Sequence, residues 1–130
     1  MRRVFLDANV LFSGAYKVDA RLVRLWALGE VVLLTSGYAA EEARRNLDTS
    51  ERRERLERLL AAVEIVPEAP GAPLPRGVDL PVSDEPILRA AIASGATDLL
   101  TGDLKDFGSL FGERWGGVLI QTPGAFLRER

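Results

Sequence analysis

The sequence predicts an α/β fold with three layers, in which helices cover both faces of a central parallel sheet of about five strands. Two observations predict it: short apolar runs rich in β-branched residues recur along the chain, and segments with helical spacing separate them. Such alternation is typical of parallel strands joined by crossover helices. A length of 130 residues indicates a single domain, residues 1–130. The predicted strands are residues 4–6, 31–35, 64–66, 99–101 and 118–121.

Helices are predicted on either side of the second strand. Apolar residues recur on one face of residues 19–29, and Gly29 is a natural end for a helix there. After the second strand, residues 38–47 form the next predicted helix. Its buried side carries residues at helical spacing, namely Ala39, Ala43 and Leu47.

A third helix is predicted over residues 48–63, where Asp48 and Glu51 form a capping box. Residues 67–81 are rich in proline and glycine, so they cannot be helix interior or central strand. Because neither flank could bury a core alone, we expect an exposed surface loop there rather than a domain linker.

The fourth helix is predicted to begin at Ser83, whose side chain caps it, and to run through Gly95. Its first turn holds residue types that are favoured at a helix start, Asp84, Glu85 and Pro86. Thr122 and Pro123 open a last helical turn in the same way.

The composition excludes much catalytic chemistry. The chain has no histidine and no cysteine, which rules out a Ser-His-Asp or Cys-His nucleophile pair, a zinc site of the usual type and a disulfide. Oxygen ligands favour hard cations such as Mg²⁺, Mn²⁺ or Ca²⁺. With 17 basic and 19 acidic residues, the net charge of −2 does not indicate a polyanion-binding protein, so contact with nucleic acid requires a local patch.

The N-terminal segment predicts a cytoplasmic protein with no membrane contact. Its apolar run reaches an acid at Asp7, too soon for the core of a signal peptide. No apolar run approaches the ~20 residues of a membrane span.

Acidic residues follow two predicted strands. Asp7 comes directly after the first strand, and Asp103 follows the fourth. The carboxyl ends of parallel strands meet at one edge, where open α/β sheets bind ligands. Asp84 and either Glu41 or Glu42, each at the start of a helix, are expected at the same edge.

Carboxylates gathered within ~4–6 Å raise one another's pKa unless they share protons or bind a cation. Without histidine or an internal lysine partner, such a cluster predicts a divalent-ion site. Divalent ions lower the pKa of bound water and stabilise the attacking and leaving oxygens of a phosphodiester displacement. The acids therefore indicate hydrolysis without a protein nucleophile.

The segments that carry these acids resemble PIN-domain ribonucleases, whose bacterial members include many toxins of toxin–antitoxin pairs. The resemblance runs in order from the first strand to Thr122 and Pro123, nearly the whole chain. It implies the sheet order 3-2-1-4-5 and cleavage of RNA by metal-activated water, leaving a 5′-phosphate and a 3′-hydroxyl. The matching segments are FLDANVL at 5–11, TS at 35–36 with EE at 41–42, SDEP at 83–86 with AA at 90–91, and LLTGDLKDF at 99–107.

The resemblance assigns roles to individual residues. It implies catalytic ligands of Mg²⁺ or Mn²⁺ at Asp7, Glu42, Asp84 and Asp103, with a further acid at Asp106. Supporting polar groups are expected at Asn9, Ser36 and Thr101. Glu41 competes with Glu42, which is favoured because it lies six residues after Ser36. Which of Asp103 and Asp106 is the stronger ligand stays open.

Arginines cluster after Glu42, at positions 44, 45, 52, 53, 55 and 58. Most have an acid four residues earlier, a spacing that stabilises an exposed helix by ~0.2–0.5 kcal/mol per pair. Arg44 and Arg53 lack such an acid and are the predicted RNA contacts.

Two kinds of protein partner are expected. Leucines near Trp26 predict a homodimer surface, which is common in the family, at Leu22, Leu25 and Leu28. An antitoxin would silence a toxin of this family by covering the acidic crevice.

Two other functions remain open. One is a phosphatase or phosphoacceptor that uses Asp7, although the residue two positions later is Asn9 rather than a second acid, and no lysine follows the fifth strand. The other is a PIN-like module that binds RNA or a partner protein without cutting.

Overall fold

A six-stranded sheet lies at the centre of the computed structural model, which describes residues 1–18 and 20–129. Its order is β3-β2-β1-β4-β6-β5, and all neighbouring strands are parallel except β5 and β6. The predicted order of five strands is therefore confirmed, with β6 as the predicted fifth strand. The strands are β1 (Arg2–Leu6), β2 (Val31–Ser36), β3 (Glu64–Val66), β4 (Asp98–Leu100), β5 (Arg114–Trp115) and β6 (Val118–Gln121).

The sixth strand, β5, was not predicted. It joins β6 through a two-residue turn at Gly116 and Gly117, whose φ angles are 60° and 86°. One of the two common hairpin turns of this length, type I′, has positive φ at both central residues, which glycine adopts without strain. The Gly-Gly pair is thus the signal in the sequence that indicates this edge strand.

Helices cover both faces of the sheet and complete the three predicted layers. Two of them, α2 and α6, continue into 3₁₀ turns at Arg24–Ala27 and Gly108–Leu110. No helix in the described ranges is long and apolar enough to cross a membrane. The helices are α1 (Ala8–Tyr16), α2 (Ala20–Val23), α3 (Gly37–Asn46), α4 (Ser50–Leu60), α5 (Glu85–Ala93), α6 (Leu104–Phe107) and α7 (Pro123–Arg128).

Two apolar cores lie on opposite faces of the sheet. Alternation along β1 sends Leu6 to the core that includes Leu56 and Phe126, and Phe5 to the core that includes Ile87 and Phe107. Because side chains alternate along a strand, the two cores together fix the register of β1. Its C-terminal end, and hence Asp7, is held rigidly at the sheet edge.

The first predicted helix is wrong in its position. Helix α1 begins directly after Asp7, whereas residues 20–27 form only α2 and a 3₁₀ turn. Asp19, the predicted start, lies outside the described residues. Helix α1 escaped prediction because it is apolar on most sides and contains Ser13 and Gly14, which are weak helix formers. Gly14 fits there because a Cβ would stand 3.2 Å from the Leu59 side chain.

Two predicted helix caps are also wrong. Thr49, not Asp48, caps α4, because its side chain accepts a hydrogen bond from the Arg52 amide, while Asp48 binds the Arg52 guanidinium instead. At α5 the N-cap position belongs to Asp84, whose side chain makes no capping bond, and Ser83 lies before the cap. The predicted cap at Thr122 is confirmed, since its side chain accepts from an amide in the first turn of α7.

Candidate metal centre

Asp7 lies between β1 and α1 with only 5% of its surface exposed. One carboxylate oxygen, Oδ1, accepts a 2.7 Å hydrogen bond from the Ala8 amide and so caps α1. The other, Oδ2, accepts from the Thr101 hydroxyl at 2.8 Å and from the Asn9 amide group at 3.1 Å. Both oxygens are thereby held in fixed directions.

Burial raises the pKa of Asp7 to about 6. The hydrogen bonds from Thr101 and Ala8 oppose this rise, whereas the nearby negative charges of Glu42 and Asp103 add to it. A buried carboxylate surrounded by other acids is costly to ionise unless a positive charge compensates.

Asn9 and Thr101 connect Asp7 to the loop that follows β4. The Asn9 side chain also donates to the Thr101 hydroxyl oxygen and accepts from the Gly102 amide at 2.7 Å. The Thr101 oxygen accepts a further bond from the Asp103 amide at 3.1 Å. Since β1 and β4 are neighbours in the sheet, these contacts fix the position of the Asp103 backbone relative to Asp7.

Three of the predicted acids form a compact cluster among the described residues. Carboxylate oxygens of Asp84, Asp103 and Asp106 all lie within 4.8 Å of one another. Asp103 caps helix α6 by accepting from the Asp106 amide at 2.9 Å, which brings the two side chains together. Asp84 reaches them from the start of α5.

Asp84 is the acid whose charge is least compensated. Burial, hydrogen bonding with Asp106 and the charges of Asp106, Asp7 and Asp103 raise its pKa to about 7. Its Oδ2 atom is buried and has no hydrogen-bond partner in the described part of the chain. A buried oxygen left without a donor is a costly feature that calls for an explanation.

These residues fit a divalent cation. The cluster offers only carboxylate oxygens, the ligands that Mg²⁺, Mn²⁺ and Ca²⁺ prefer. A cation would give the unpartnered Asp84 oxygen a ligand bond and would compensate the burial and the neighbouring negative charges that raise the pKa values of Asp7 and Asp84. The donor set and the orphaned oxygen therefore agree on a hard cation at this edge of the sheet.

The side chains of Glu41 and Glu42 lie in different surroundings, one on the protein surface and the other near Asp7. Glu41 is exposed and pairs with Arg44 at 3.5 Å. The charge of Glu42 instead raises the pKa of Asp7, and the side chain lines a shallow pocket of about 300 Å³ with Asn9. Glu42 lies outside the three-acid cluster. Ser36 is buried and caps α3, accepting from the Ala39 amide at 3.2 Å, so it anchors the helix that carries Glu42.

Three of the six arginines of α3 and α4 form ion pairs with acids of the described residues, namely Arg44, Arg52 and Arg55. Pairs with the predicted four-residue spacing form at Arg52 and Arg55. Arg44, one of the two predicted RNA contacts, has no acid four residues earlier, but Glu57, thirteen residues later, holds its guanidinium at 2.7 Å. Arg53 is exposed and forms no ion pair with a described residue.

Tyr38 is a residue near the site that the sequence did not single out. Its hydroxyl donates a 2.6 Å hydrogen bond to the Ser83 carbonyl, next to Asp84, and its amide donates to Glu68. Burial and the charges of Glu42, Asp84 and Asp7 raise its pKa. Tyr38 thus ties the start of α3 to the start of α5. The signal was an aromatic residue just after the end of a predicted strand.

The predicted dimer surface is partly inside the protein. Leu25 is only 1% exposed and belongs to the core beneath α1 and α4. Leu22 and Leu28 pack against the same core while staying partly exposed. An amphipathic segment seen in sequence cannot distinguish core from interface, because both bury leucine.

In the metal-free protein, we expect the free energy of unfolding to fall as pH rises from about 4 to about 7. Asp7 has an ordinary pKa of 3.8 and a folded value of about 6. A raised carboxyl pKa contributes stability that is fully present below the unfolded value and is lost as pH rises through the folded value. The loss for Asp7 is roughly 2–3 kcal/mol.

Urea unfolding in EDTA across this pH range measures the effect. Asp84, whose pKa is raised to about 7, contributes to the same fall, so Asp7→Asn is expected to remove the part due to Asp7 and to leave the part due to Asp84. Asp98 and Glu57 have lowered pKa values, so their contributions are lost only below about pH 4 and leave this window unaffected. A wild-type urea midpoint that stays constant or increases with pH would contradict the prediction.

Comparison with known proteins places this arrangement in a family. The sequence matches the PIN domain family over residues 3–105. VapBC2 from Rickettsia felis, bound to a DNA fragment from their promoter, has a similar fold, with a TM-score of 0.69, 16% identity and coverage of 92% of this chain and 98% of that chain. FitAcB from Neisseria gonorrhoeae has a TM-score of 0.59, 21% identity and coverage of 93% and 98%. No curated protein matches the chain.

The two solved structures show likeness of fold, and the family match identifies the chain. It covers Asp7, Asp84 and Asp103, three of the acids that the sheet edge gathers, and ends one residue before Asp106. PIN domains are generally nucleases that use divalent metal ions. From the first strand to the acidic loop after the fourth, the chain belongs to the PIN domain family.

Proposed function

We propose that the chain is a metal-dependent endoribonuclease that hydrolyses RNA phosphodiester bonds with Mg²⁺ or Mn²⁺. The observation that carries the proposal is the cluster of Asp84, Asp103 and Asp106, with its unpartnered buried oxygen, beside Asp7. The chain lacks histidine and cysteine, so its own side chains offer no imidazole or thiol for RNA cleavage.

The residues proposed to hold the cation are Asp7, Glu42, Asp84, Asp103 and Asp106. When bound, a divalent cation supplies a water of lowered pKa and stabilises charge on the phosphate oxygens. Asn9 and Thr101 orient Asp7 through hydrogen bonds of 3.1 and 2.8 Å. Ser36 and Asp103 hold the first turns of α3 and α6 in place.

Asp84 couples metal binding to a proton. With a pKa of about 7, its carboxyl is partly protonated at neutral pH in the metal-free protein, in contact with Asp106. Metal ligands must be deprotonated, so cation binding releases this proton. Metal affinity is therefore expected to increase with pH near neutrality.

We further propose that the protein is the toxin of a toxin–antitoxin pair. The support is the resemblance of its sequence segments to bacterial PIN-domain toxins, together with the fold it shares with VapBC2 and FitAcB. An antitoxin protein covering the acidic edge and a second copy of this chain are the partners that follow from the proposal.

The rival roles are less well supported. The residue two positions after Asp7 is Asn9 rather than a second acid, and no lysine follows the fifth predicted strand, so the chain departs from the pattern of a phosphatase or phosphoacceptor. A module that binds without cutting would have no need for three acids held within 4.8 Å of one another.

Incubation with a panel of single-stranded and structured RNAs tests the proposed function. We expect cleavage in Mg²⁺ or Mn²⁺, with 5′-phosphate and 3′-hydroxyl ends, and none in EDTA. Re-addition of metal after EDTA is expected to restore the rate, because the acids alone supply no nucleophile. RNA binding without cleavage at any metal concentration would favour the binding module, and cleavage that persists in EDTA would contradict the proposal.

Two neighbouring glutamates provide a matched control. Glu42→Gln is expected to lower the cleavage rate because the Glu42 charge acts on Asp7. Glu41→Gln removes the same charge one residue away, from a side chain that pairs with Arg44 on the protein surface. An equal loss in both variants would indicate a general charge effect rather than a role for Glu42.

A further inference from the structure

We propose that a groove between α2 and α7 binds the phosphate backbone of the RNA strand that leads away from the acidic site. The groove has a volume of about 490 Å³ and is lined by Arg21, Arg24 and Arg128 over an apolar floor that includes Leu22 and Leu127. The inference rests on the proposed function, since it assigns a path to that substrate.

Two of the three arginines of the groove have no acidic partner in the described part of the chain. Arg24 and Arg128 are exposed, and neither forms an ion pair with a residue of the described ranges. No acidic side chain of the described residues lines the groove. By contrast, Arg52 and Arg55 on α4 are held by acids. In a protein of net charge −2, this groove is a local concentration of positive charge.

The groove begins at the sheet edge that carries the acids. Its residues Pro123 and Gly124 follow β6, whose last residue, Gln121, accepts a hydrogen bond from the Thr101 amide. The Thr101 hydroxyl in turn donates to Asp7. One backbone contact and one side-chain contact thus connect the end of the groove at Pro123 to the buried carboxylate of Asp7.

Arg128 reaches back toward this end. Its Nη1 atom lies 3.5 Å from the position that a Cβ on Gly124 would occupy, so the guanidinium covers the first turn of α7. Arg24 lies across the groove on the 3₁₀ turn after α2. A phosphate backbone following the groove from the acidic edge would pass both cations.

RNA is favoured over an acidic protein as the occupant because Pro123 and Gly124 place one end of the groove just after β6, at the edge of the sheet that carries the acids. A polyanion held only at the carboxylates would be repelled by them, and cations beside the site supply the attraction that a net charge of −2 does not. Each phosphate neutralised on a single strand contributes about 0.7 to the slope of log affinity against log salt.

The test measures binding of a fluorescein-labelled single-stranded RNA of about 20 nucleotides, longer than a typical single-strand site. Fluorescence anisotropy is recorded in Mg²⁺ between roughly 50 and 200 mM salt. The Asp7→Asn protein serves as the background because it leaves the RNA intact under the proposed function. The groove variant adds Arg24→Glu and Arg128→Glu. The control adds Arg58→Glu and Arg76→Glu, the same charge change at exposed arginines away from the groove.

We expect the groove variant to lower the salt slope by about 1.4 and to weaken binding at low salt about tenfold or more, while the control keeps both close to the background values. Equal losses in the two variants, or an unchanged slope in the groove variant, would overturn the proposal. So would RNA binding that stays intact while the groove variant loses binding of poly-L-glutamate, which would assign the groove to an acidic protein. Cleavage by the wild-type protein is scored separately, so a failed groove and a failed nuclease give different results.

Discussion

Asp7→Asn is expected to lower the rate of RNA cleavage in Mg²⁺ by about a thousandfold or more, equivalent to about 4 kcal/mol of transition-state stabilisation. Asp7 is the most buried of the proposed ligands, and its carboxylate is surrounded by Glu42 and Asp103. Asparagine keeps the shape of the side chain but removes the negative charge that would hold a cation. The loss therefore comes from charge rather than from packing.

The fold is expected to survive this substitution. Asparagine is as good an N-cap residue as aspartate, so the bond to the Ala8 amide can be kept. The new amide meets the Asn9 amide group, which is also a donor, but the cost of burying a charge disappears. We expect the urea midpoint at pH 7 in EDTA to stay the same or increase slightly.

Asp79→Asn provides the control for this prediction. It makes the same chemical change at an exposed position of the loop between β3 and α5, outside the acidic cluster. Its cleavage rate is expected to equal that of the wild-type protein. If Asp7→Asn kept more than about a tenth of the wild-type rate, a loss of less than 1.4 kcal/mol, Asp7 would not be a metal ligand.

The strand order and the edge of the sheet could be predicted because they depend on local signals. Short apolar runs rich in β-branched residues mark the five predicted strands, and Asp7 and Asp103 follow two of them. The carboxyl ends of neighbouring parallel strands then lie at the same edge of the sheet, independently of the loop conformations. This is why the acids after β1 and β4 were placed at one edge without a structure.

Other features depend on contacts between distant residues, which sequence spacing does not contain. Arg44 pairs with Glu57 because α3 and α4 pack against each other, and the bond from Tyr38 to Ser83 depends on how the proline-rich loop returns. The unpartnered oxygen of Asp84 likewise depends on the direction of one side chain. The unpredicted strand β5, by contrast, has a local signal in the sequence, the Gly116-Gly117 turn.

Asp98 forms a buried ion pair that its position in the sequence did not predict. It begins β4 with its side chain buried, and the Arg2 guanidinium donates two hydrogen bonds to it, at 2.9 and 2.8 Å. Thr97 and Gln121 donate to it as well. Burial alone would raise the pKa of Asp98, but the bonds from Arg2, Thr97 and Gln121 outweigh it and hold the pKa below its usual range.

Arg2→Met is therefore expected to lower the free energy of unfolding at pH 7 by about 3–5 kcal/mol, because it leaves a buried carboxylate without its cation. Asp98→Asn is expected to cost only about 1–2 kcal/mol, since Arg2 is partly exposed and Glu129 lies 3.8 Å away.

Urea unfolding at several pH values separates the effect of the buried charge from the effect of lost packing. In the wild-type protein the contribution of Asp98 is lost as pH falls below its usual pKa of 3.8. In Arg2→Met burial would raise the pKa of Asp98, so Asp98 would destabilise the folded protein when ionised. The difference in unfolding free energy from the wild-type protein should therefore shrink as pH falls toward about 4. If the loss of unfolding free energy in Arg2→Met were the same at pH 7 and near pH 4, its cause would be the lost packing of the Arg2 side chain against Phe126 rather than the buried charge.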